Sequence, residues 1–168
     1  MNEVVLVDRE DRVTGTLEKL EAHRQGALHR AISVFVFNSK GELLLQRRAT
    51  GKYHSEGLWT NTCCSHPFPG EQTPDAARRR VREEMGLSID PEFSHSFVYK
   101  GHLDNGLTEF EFDHVFTAVT DDAPDPDPAE ASEWKYITMQ ALRREVRSNP
   151  SEYTLWLKII LDDPRFRY

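Results

Sequence analysis

Ser65-His-Pro-Phe-Pro-Gly-Glu-Gln-Thr-Pro-Asp-Ala-Ala-Arg-Arg-Arg-Val-Arg-Glu-Glu-Met-Gly-Leu87 is the stretch on which the reading of this chain turns. Two prolines and Gly70 mark its first part as a loop. A helix then follows: Thr73 is the expected N-cap, Pro74 takes the first helical position, Asp75 sits in the first turn and Gly86 ends it. Arg79 and Glu83, and likewise Arg80 and Glu84, are four apart and share faces of that helix. Plain surface ion pairs account for this much. A loop followed by an acidic helix is also a good way to hold Mg²⁺ on a diphosphate, because hard carboxylate oxygens suit that ion.

Immediately upstream, Thr60-Asn-Thr-Cys-Cys-Ser-His-Pro67 packs polar and metal-ligating residue types densely. If it is extended, Cys64 and His66 point the same way while Cys63 points opposite. Neighbouring cysteines cannot close a useful loop, so both are expected as free thiols in a reducing compartment. A small buried cysteine is the plainer alternative for either one.

Further out, the strand and helix order is legible. Val4 to Val7, Arg30 to Asn38 and Glu42 to Arg47 read as strands, the last two joined as a hairpin by Ser39-Lys40-Gly41. Trp59 to Cys63 reads as a short strand. Phe93 to Leu103 and Glu109 to Val119 are separated by the turn residues Asp104-Asn105-Gly106. The alternating prolines and acids of Asp121 to Glu130 predict a surface loop. A strand over Glu133 to Ile137, a helix capped by Thr138 and a helix from about Ser151 carrying Trp156 complete the chain. The whole predicts an α+β fold, one mixed sheet sandwiched between helices, as a single domain over residues 1–168.

In Glu109-Phe-Glu-Phe-Asp113 the period of two puts the acids on one face and Phe110 and Phe112 on the other. The expectation is that the aromatics enter the core; an acidic strand face on its own is also the ordinary solvated face. His23, His29 and His66 are candidate metal ligands, although the spacing of the first two matches no compact finger. A surface or core histidine explains each of them singly.

Composition bounds the function. The chain has 168 residues, 38% hydrophobic and 29% charged, and a formal net charge of -7. That balance is of a water-soluble globular protein. It argues against broad nucleic-acid or anionic-membrane binding, which needs a basic face. No apolar run approaches a membrane span and Met1 to Arg9 has no signal-like pattern, so the expected location is cytoplasmic.

The spacing of Ser65 to Leu87 resembles a Nudix box, with Ser65 in place of its leading glycine and Arg80 in place of the glutamate that follows the arginine. Together with Gly15-Thr-Leu-Glu-Lys19, Leu28-His-Arg-Ala31, Gln46-Arg-Arg-Ala49, TNTCCSHP and the Glu-Phe-Glu strand, it resembles the type I isopentenyl diphosphate isomerases of the Nudix superfamily. The resemblance implies a Nudix-type fold and the interconversion of isopentenyl and dimethylallyl diphosphate through a tertiary carbocation. By that pattern His23, His29, His66, Glu109 and Glu111 would surround one Zn²⁺, Mn²⁺ or Mg²⁺. Glu84 would meet a Mg²⁺ carried by the diphosphate, and Lys19, Arg48, Lys52 and Arg80 would grip the diphosphate itself. Cys64 and Glu111 would occupy the two proton-transfer positions, Tyr99 would act beside Glu111, and Trp156 would face the cation. The implied partner is a small diphosphate, with the chain working as a monomer or weak homodimer. A Nudix diphosphate hydrolase is the second reading, and a non-catalytic metal- or phosphate-binding module the third.

Overall fold

The computed structural model describes residues 2–103 and 105–168; Asp104 of the expected Asp104-Asn105-Gly106 turn lies outside the described residues. Chain order is β1 (Glu3–Val7), β2 (Val13–Glu18), α1 (Lys19–Gln25), β3 (His29–Phe37), β4 (Glu42–Arg48), β5 (Trp59–Thr60), β6 (Cys63–Ser65), α2 (Thr73–Met85), β7 (Glu92–His102), β8 (Thr108–Val119), β9 (Ala131–Thr138), α3 (Met139–Ser148) and α4 (Leu155–Asp162).

β3 is the hub. Its run from Ala31 to Phe37 is buried throughout, the pattern of a strand covered on both faces. Even-numbered Ile32, Val34 and Val36 pack with Ala77, Val81 and Met85 of α2. Odd-numbered Phe35 and Phe37 pack with Leu142 of α3 and with Leu157 and Ile160 of α4. The helices therefore sandwich the sheet as the α+β reading expects.

Along one edge β3 runs parallel to β8 from His29↔Glu111 to Phe37↔Val119, and β8 pairs antiparallel with β7. Its other edge is different from the expected hairpin. The turn forms, with Asn38 N donating to Glu42 O at 3.0 Å, but β3 and β4 share only the pair Phe37↔Leu43. They then diverge, and β4 pairs with β9 and β5. The gap is taken by residues 61–65: β6 pairs with β3, Thr62 Oγ1 accepts from Val36 N at 2.9 Å and donates to Leu44 O at 2.6 Å, and Asn61 Nδ2 donates to Val34 O at 3.1 Å. The single strand expected over Trp59 to Cys63 is thus two short strands, because Asn61 and Thr62 spend their side chains on the open ladder edges. That wedge delivers Cys64 to the mouth of the opening.

Two further corrections are local, and one expected loop gains a role. The N-cap of α2 is Gln72, extended and without a side-chain cap bond, so Thr73 is already helical and Pro74 stands second. β2 and α1 were not foreseen; α1 starts behind the Glu18 side chain, which accepts from Glu21 N, and closes at Gly26 in the left-handed region. The Asp121 to Glu130 segment is a loop, but one with a task. Asp125 N and Asp127 N donate to the carbonyls of Met85 and Glu84 at 2.9 and 3.0 Å, satisfying the open end of α2.

Candidate active site

β8 reverses the expectation for its two faces. Glu109, Glu111 and Asp113 are buried, and Phe110 and Phe112 are the half-exposed ones. Period two was right; the sidedness was not, because the acids face donors and cations that offset their desolvation. Phe110 instead lies under Arg9 and Lys100 on the outer face, 5.9 and 4.9 Å from its ring centre.

Above the acids the splayed sheet opens into a cavity of about 60 Å³ that communicates with solvent. Lys19, Arg48, Lys52, Cys64, His66, Arg80, Glu84, Tyr99, Glu109, Glu111 and Trp156 all line it. His23 and His29, the other two sequence candidates, are fully buried behind its wall and turned toward the same acids. The structure therefore gathers every residue singled out in the sequence around one space.

The histidines are arranged as donors. His23 Nδ1 donates to Lys19 O at 2.7 Å and His29 Nδ1 donates to Ala27 O at 2.9 Å, since a carbonyl can only accept. In the neutral ring each is thereby left with a bare Nε2. His23 Nε2 stands 3.3 Å from Glu109 Oε2, yet the two are misaligned and neither has a hydrogen-bond partner. Burial lowers the His23 pKa but Glu109 outweighs it, so the net direction is up and a cation would compete with that proton. His29 Nε2 and His66 Nε2 are 3.2 Å apart, and Glu111 Oε1 lies 3.0 Å from the latter and 3.5 Å from the former. Donors bound about 2.1 Å from one ion at right angles stand about 3.0 Å from each other, so these three could share an ion with little movement. Burial holds the His66 pKa down at about 3, which keeps that ring neutral and able to ligate. The donor groups are His23, His29, His66 and Glu111, and a second, overlapping group of His23, His54 and Glu109.

On the wall, Tyr99 OH donates to Glu111 Oε2 at 2.7 Å. Burial pushes the Glu111 pKa up, as does Glu109, but the histidine hydrogen bonds prevail and the net direction is down. Tyr99 is pushed well up by burial and by Glu111. Below them Asp113 accepts from Ser33 Oγ at 2.7 Å, and burial with the neighbouring Glu111 raises its pKa well above the carboxylate range. Cys64 Sγ lies 3.9 Å from Arg48 Nη1, and burial pushes its thiol up to about 12. Cys63, facing the other way, is wholly within the α2 core, as the extended reading required.

The cations come from separate elements: Lys19 opens α1, Arg48 ends β4, Lys52 follows it, and Arg80 lies on α2. Lys19 is pulled down in pKa by burial, then by Lys52, Arg80 and Arg48. Such a cluster without an anion is self-repelling. Arg80 is partly neutralised by Glu84 at 2.6 Å and Glu130 at 3.2 Å, and Glu130 also pairs with Lys52. The other oxygen of Glu84 accepts from Gln46 Nε2 at 2.8 Å. Trp156 presents its ring to Arg48, 5.3 Å away, with its Nε1 unpartnered.

Sequence reasoning missed His54, Tyr53 and Glu130. Lys52-Tyr-His54 sits among glycines in a segment that reads as an ordinary loop, and its one signal was its position four to six residues after Arg48. Glu130 was hidden at the end of the acidic, proline-rich loop.

Comparison with known proteins gives the family of the chain. The NUDIX domain family matches residues 27–157. A protein of Aromatoleum aromaticum named isopentenyl-diphosphate Delta-isomerase 2 is 52% identical over 96% of this chain and 85% of its own length. An isopentenyl-diphosphate Delta-isomerase of Pectobacterium atrosepticum is 50% identical over 95% of this chain and 89% of its own. Among solved structures, a Deinococcus radiodurans protein superposes with a TM-score of 0.78 at 23% identity, covering 94% of this chain and 96% of that one. A MutT NUDIX hydrolase of Burkholderia pseudomallei gives 0.64 at 17% identity over 82% and 98%; both show the fold. With half of its residues shared across nearly its full length, the chain belongs to the isopentenyl-diphosphate Delta-isomerase family of NUDIX-domain proteins.

Proposed function

We propose that this chain is an isopentenyl-diphosphate Delta-isomerase, moving the double bond of isopentenyl diphosphate to give dimethylallyl diphosphate. The observation that carries the reading is the meeting of Cys64 with the Tyr99–Glu111 pair in one cavity ringed by cations. Protonating an unactivated alkene yields a tertiary carbocation, and losing a proton from the neighbouring carbon completes the shift. One group must give a proton while another takes one. Cys64 is held as a thiol and Glu111 as a carboxylate, so the two begin in complementary states and exchange them when the reaction reverses. The 2.7 Å bond from Tyr99 ties the phenol to Glu111 and lets it relay that proton.

Lys19, Arg48, Lys52 and Arg80 take the diphosphate, displacing Glu130 from Lys52 and Arg80. Trp156 offers a π face, worth about 2 kcal/mol to a desolvated cation. His23, His29, His66, Glu109 and Glu111 would hold one Zn²⁺, Mn²⁺ or Mg²⁺, which supplies fixed positive charge to orient and ionise Glu111. Glu84 would meet Mg²⁺ arriving with the substrate. The reading takes the chain as a single cytoplasmic domain, monomeric or weakly dimeric. Arg80, bound to Glu84, weighs against diphosphate hydrolysis, since it stands where a carboxylate would be needed for a hydrolytic ion. Incubation with isopentenyl diphosphate and a divalent metal tests the proposal: dimethylallyl diphosphate is expected, and release of phosphate or isopentenol without it refutes the isomerase.

A further inference from the structure

We propose that His54 is a metal ligand of this site, entering the shell of the ion together with His23 and Glu109. His54 lies on the loop after β4, a segment with no residue in the ligand set read from the sequence. That loop is bent inward by positive φ at Gly51, Ser55 and Gly57. A non-glycine residue in the left-handed region, here Ser55, is held there by its surroundings. The fastening is visible: Arg48 Nη2 donates to His54 O at 3.1 Å, and Asn105 Nδ2 donates to Tyr53 O at 2.8 Å. The imidazole is consequently buried, edge-on to Tyr53 and Trp156 at 4.2 and 5.7 Å.

Its nitrogens are placed like those of His23 and His29, with a hydroxyl that can accept from Nδ1 where they have a carbonyl. Nδ1 has its own partner in Ser55 Oγ at 3.2 Å, and Nε2 is aimed at Glu109 Oε1, 3.1 Å away. The opposite oxygen of that carboxylate is the one left unpartnered beside His23 Nε2. Glu109 is thus flanked by an imidazole on each oxygen, at the spacing of adjacent donors on one ion. His23 belongs to both donor groups, and its single Nε2 lone pair can serve only one ion. The donor atom of His23 lies within 4.8 Å of those of His54 and Glu109, so an ion that takes His23 has that pair beside it, and His54 is the added donor.

The inference rests on the metal reading above, and the test separates the two. His54→Phe keeps a ring against Tyr53 and Trp156 but removes the donor. Zn²⁺ affinity would be measured by calorimetry on the metal-stripped full chain, and the visible absorption of the Co²⁺-loaded protein would report coordination. The expected result is one ion per wild-type chain, an affinity loss in the variant beyond the roughly 10–100-fold that removal of an outer partner causes, and a changed cobalt spectrum. An unchanged spectrum, whatever the affinity, makes His54 a neighbour of Glu109 only and overturns the assignment. Absence of any ion in the wild type overturns it along with the metal reading. His54→Gln, assayed in the same way, guards against a variant that fails to fold, and must show the same spectral change.

Discussion

Removing one sulfur from each of two adjacent cysteines separates chemistry from packing. In Cys64→Ala the lost group touches Arg48 and the cavity; in Cys63→Ala it is fully enclosed among Ile32, Val81 and Met85. Counting the Cys63 sulfhydryl as one buried methylene plus the void it leaves gives about 1–1.5 kcal/mol of lost stability. For a chain of this length that is a melting point lower by roughly 2–6 °C. Cys64 borders a space that solvent can enter, so its removal leaves little void and should cost less than about 1 kcal/mol. Activity should divide the other way. Loss of one proton-transfer group removes about 10²–10⁴-fold in rate, or about 2.7–5.5 kcal/mol of barrier, whereas Cys63→Ala should turn over near the wild-type rate. The assay is formation of dimethylallyl diphosphate from isopentenyl diphosphate, with thermal melts of the same preparations. A Cys64→Ala enzyme working at near wild-type rate, or a Cys63→Ala enzyme equally impaired while still folded, refutes the assignment of Cys64 to proton transfer.

Chelation should abolish isomerisation and added Mn²⁺, Zn²⁺ or Mg²⁺ should restore it; full activity in protein verified to be metal-free would exclude the metal role. Arg80→Glu replaces a cation already flanked by Glu83, Glu84 and Glu130 with a fourth acid. It should raise KM sharply, and a gain in phosphate release at unchanged isomerisation would instead favour the hydrolase reading. Burial pushes the Cys64 thiol up to about 12, so alkylation by iodoacetamide at pH 8 should be slow in the native protein and go on climbing above pH 9, where that of a free thiol levels off. The sign for stability follows: with a folded pKa raised above the ordinary 9.0, the contribution is intact below pH 9 and fades as pH rises toward 12. Alkylation at the rate of an ordinary thiol at pH 8 would show that the group is not held neutral.

The segments with regular period and clear stop signals were legible. β3, α2, β7 and β8 needed only alternation, Pro74, Gly86 and the turn residues. What escaped depended on partners far along the chain. Nothing local to Arg30–Arg47 says that the hairpin will be prised open, because the wedge is supplied by Asn61 and Thr62. Nothing local to β8 says that its acids go inward, because the imidazoles and cations that accommodate them come from other elements. The sequence candidates for the site were brought together since motif resemblance fixed positions that no periodicity could. His54 and Glu130 were missed because a loop residue reveals its aim only when the chain is folded.

The parallel pairing of β3 with β8 also has a kinetic side. His29 and Glu111 are register partners, and just beyond them Ser33 binds Asp113 across 80 residues of chain. Bringing such distant segments together costs loop entropy before any contact repays it, which makes parallel closure a slow step in folding. Until it happens, the histidines of the early chain and the acids of β8 are on unconnected pieces. An ion in the surrounding solution therefore cannot template this protein from the start; it is captured after the central strands have zipped. Refolding rates should accordingly be insensitive to added metal while unfolding slows, the signature of a ligand that meets only the finished sheet.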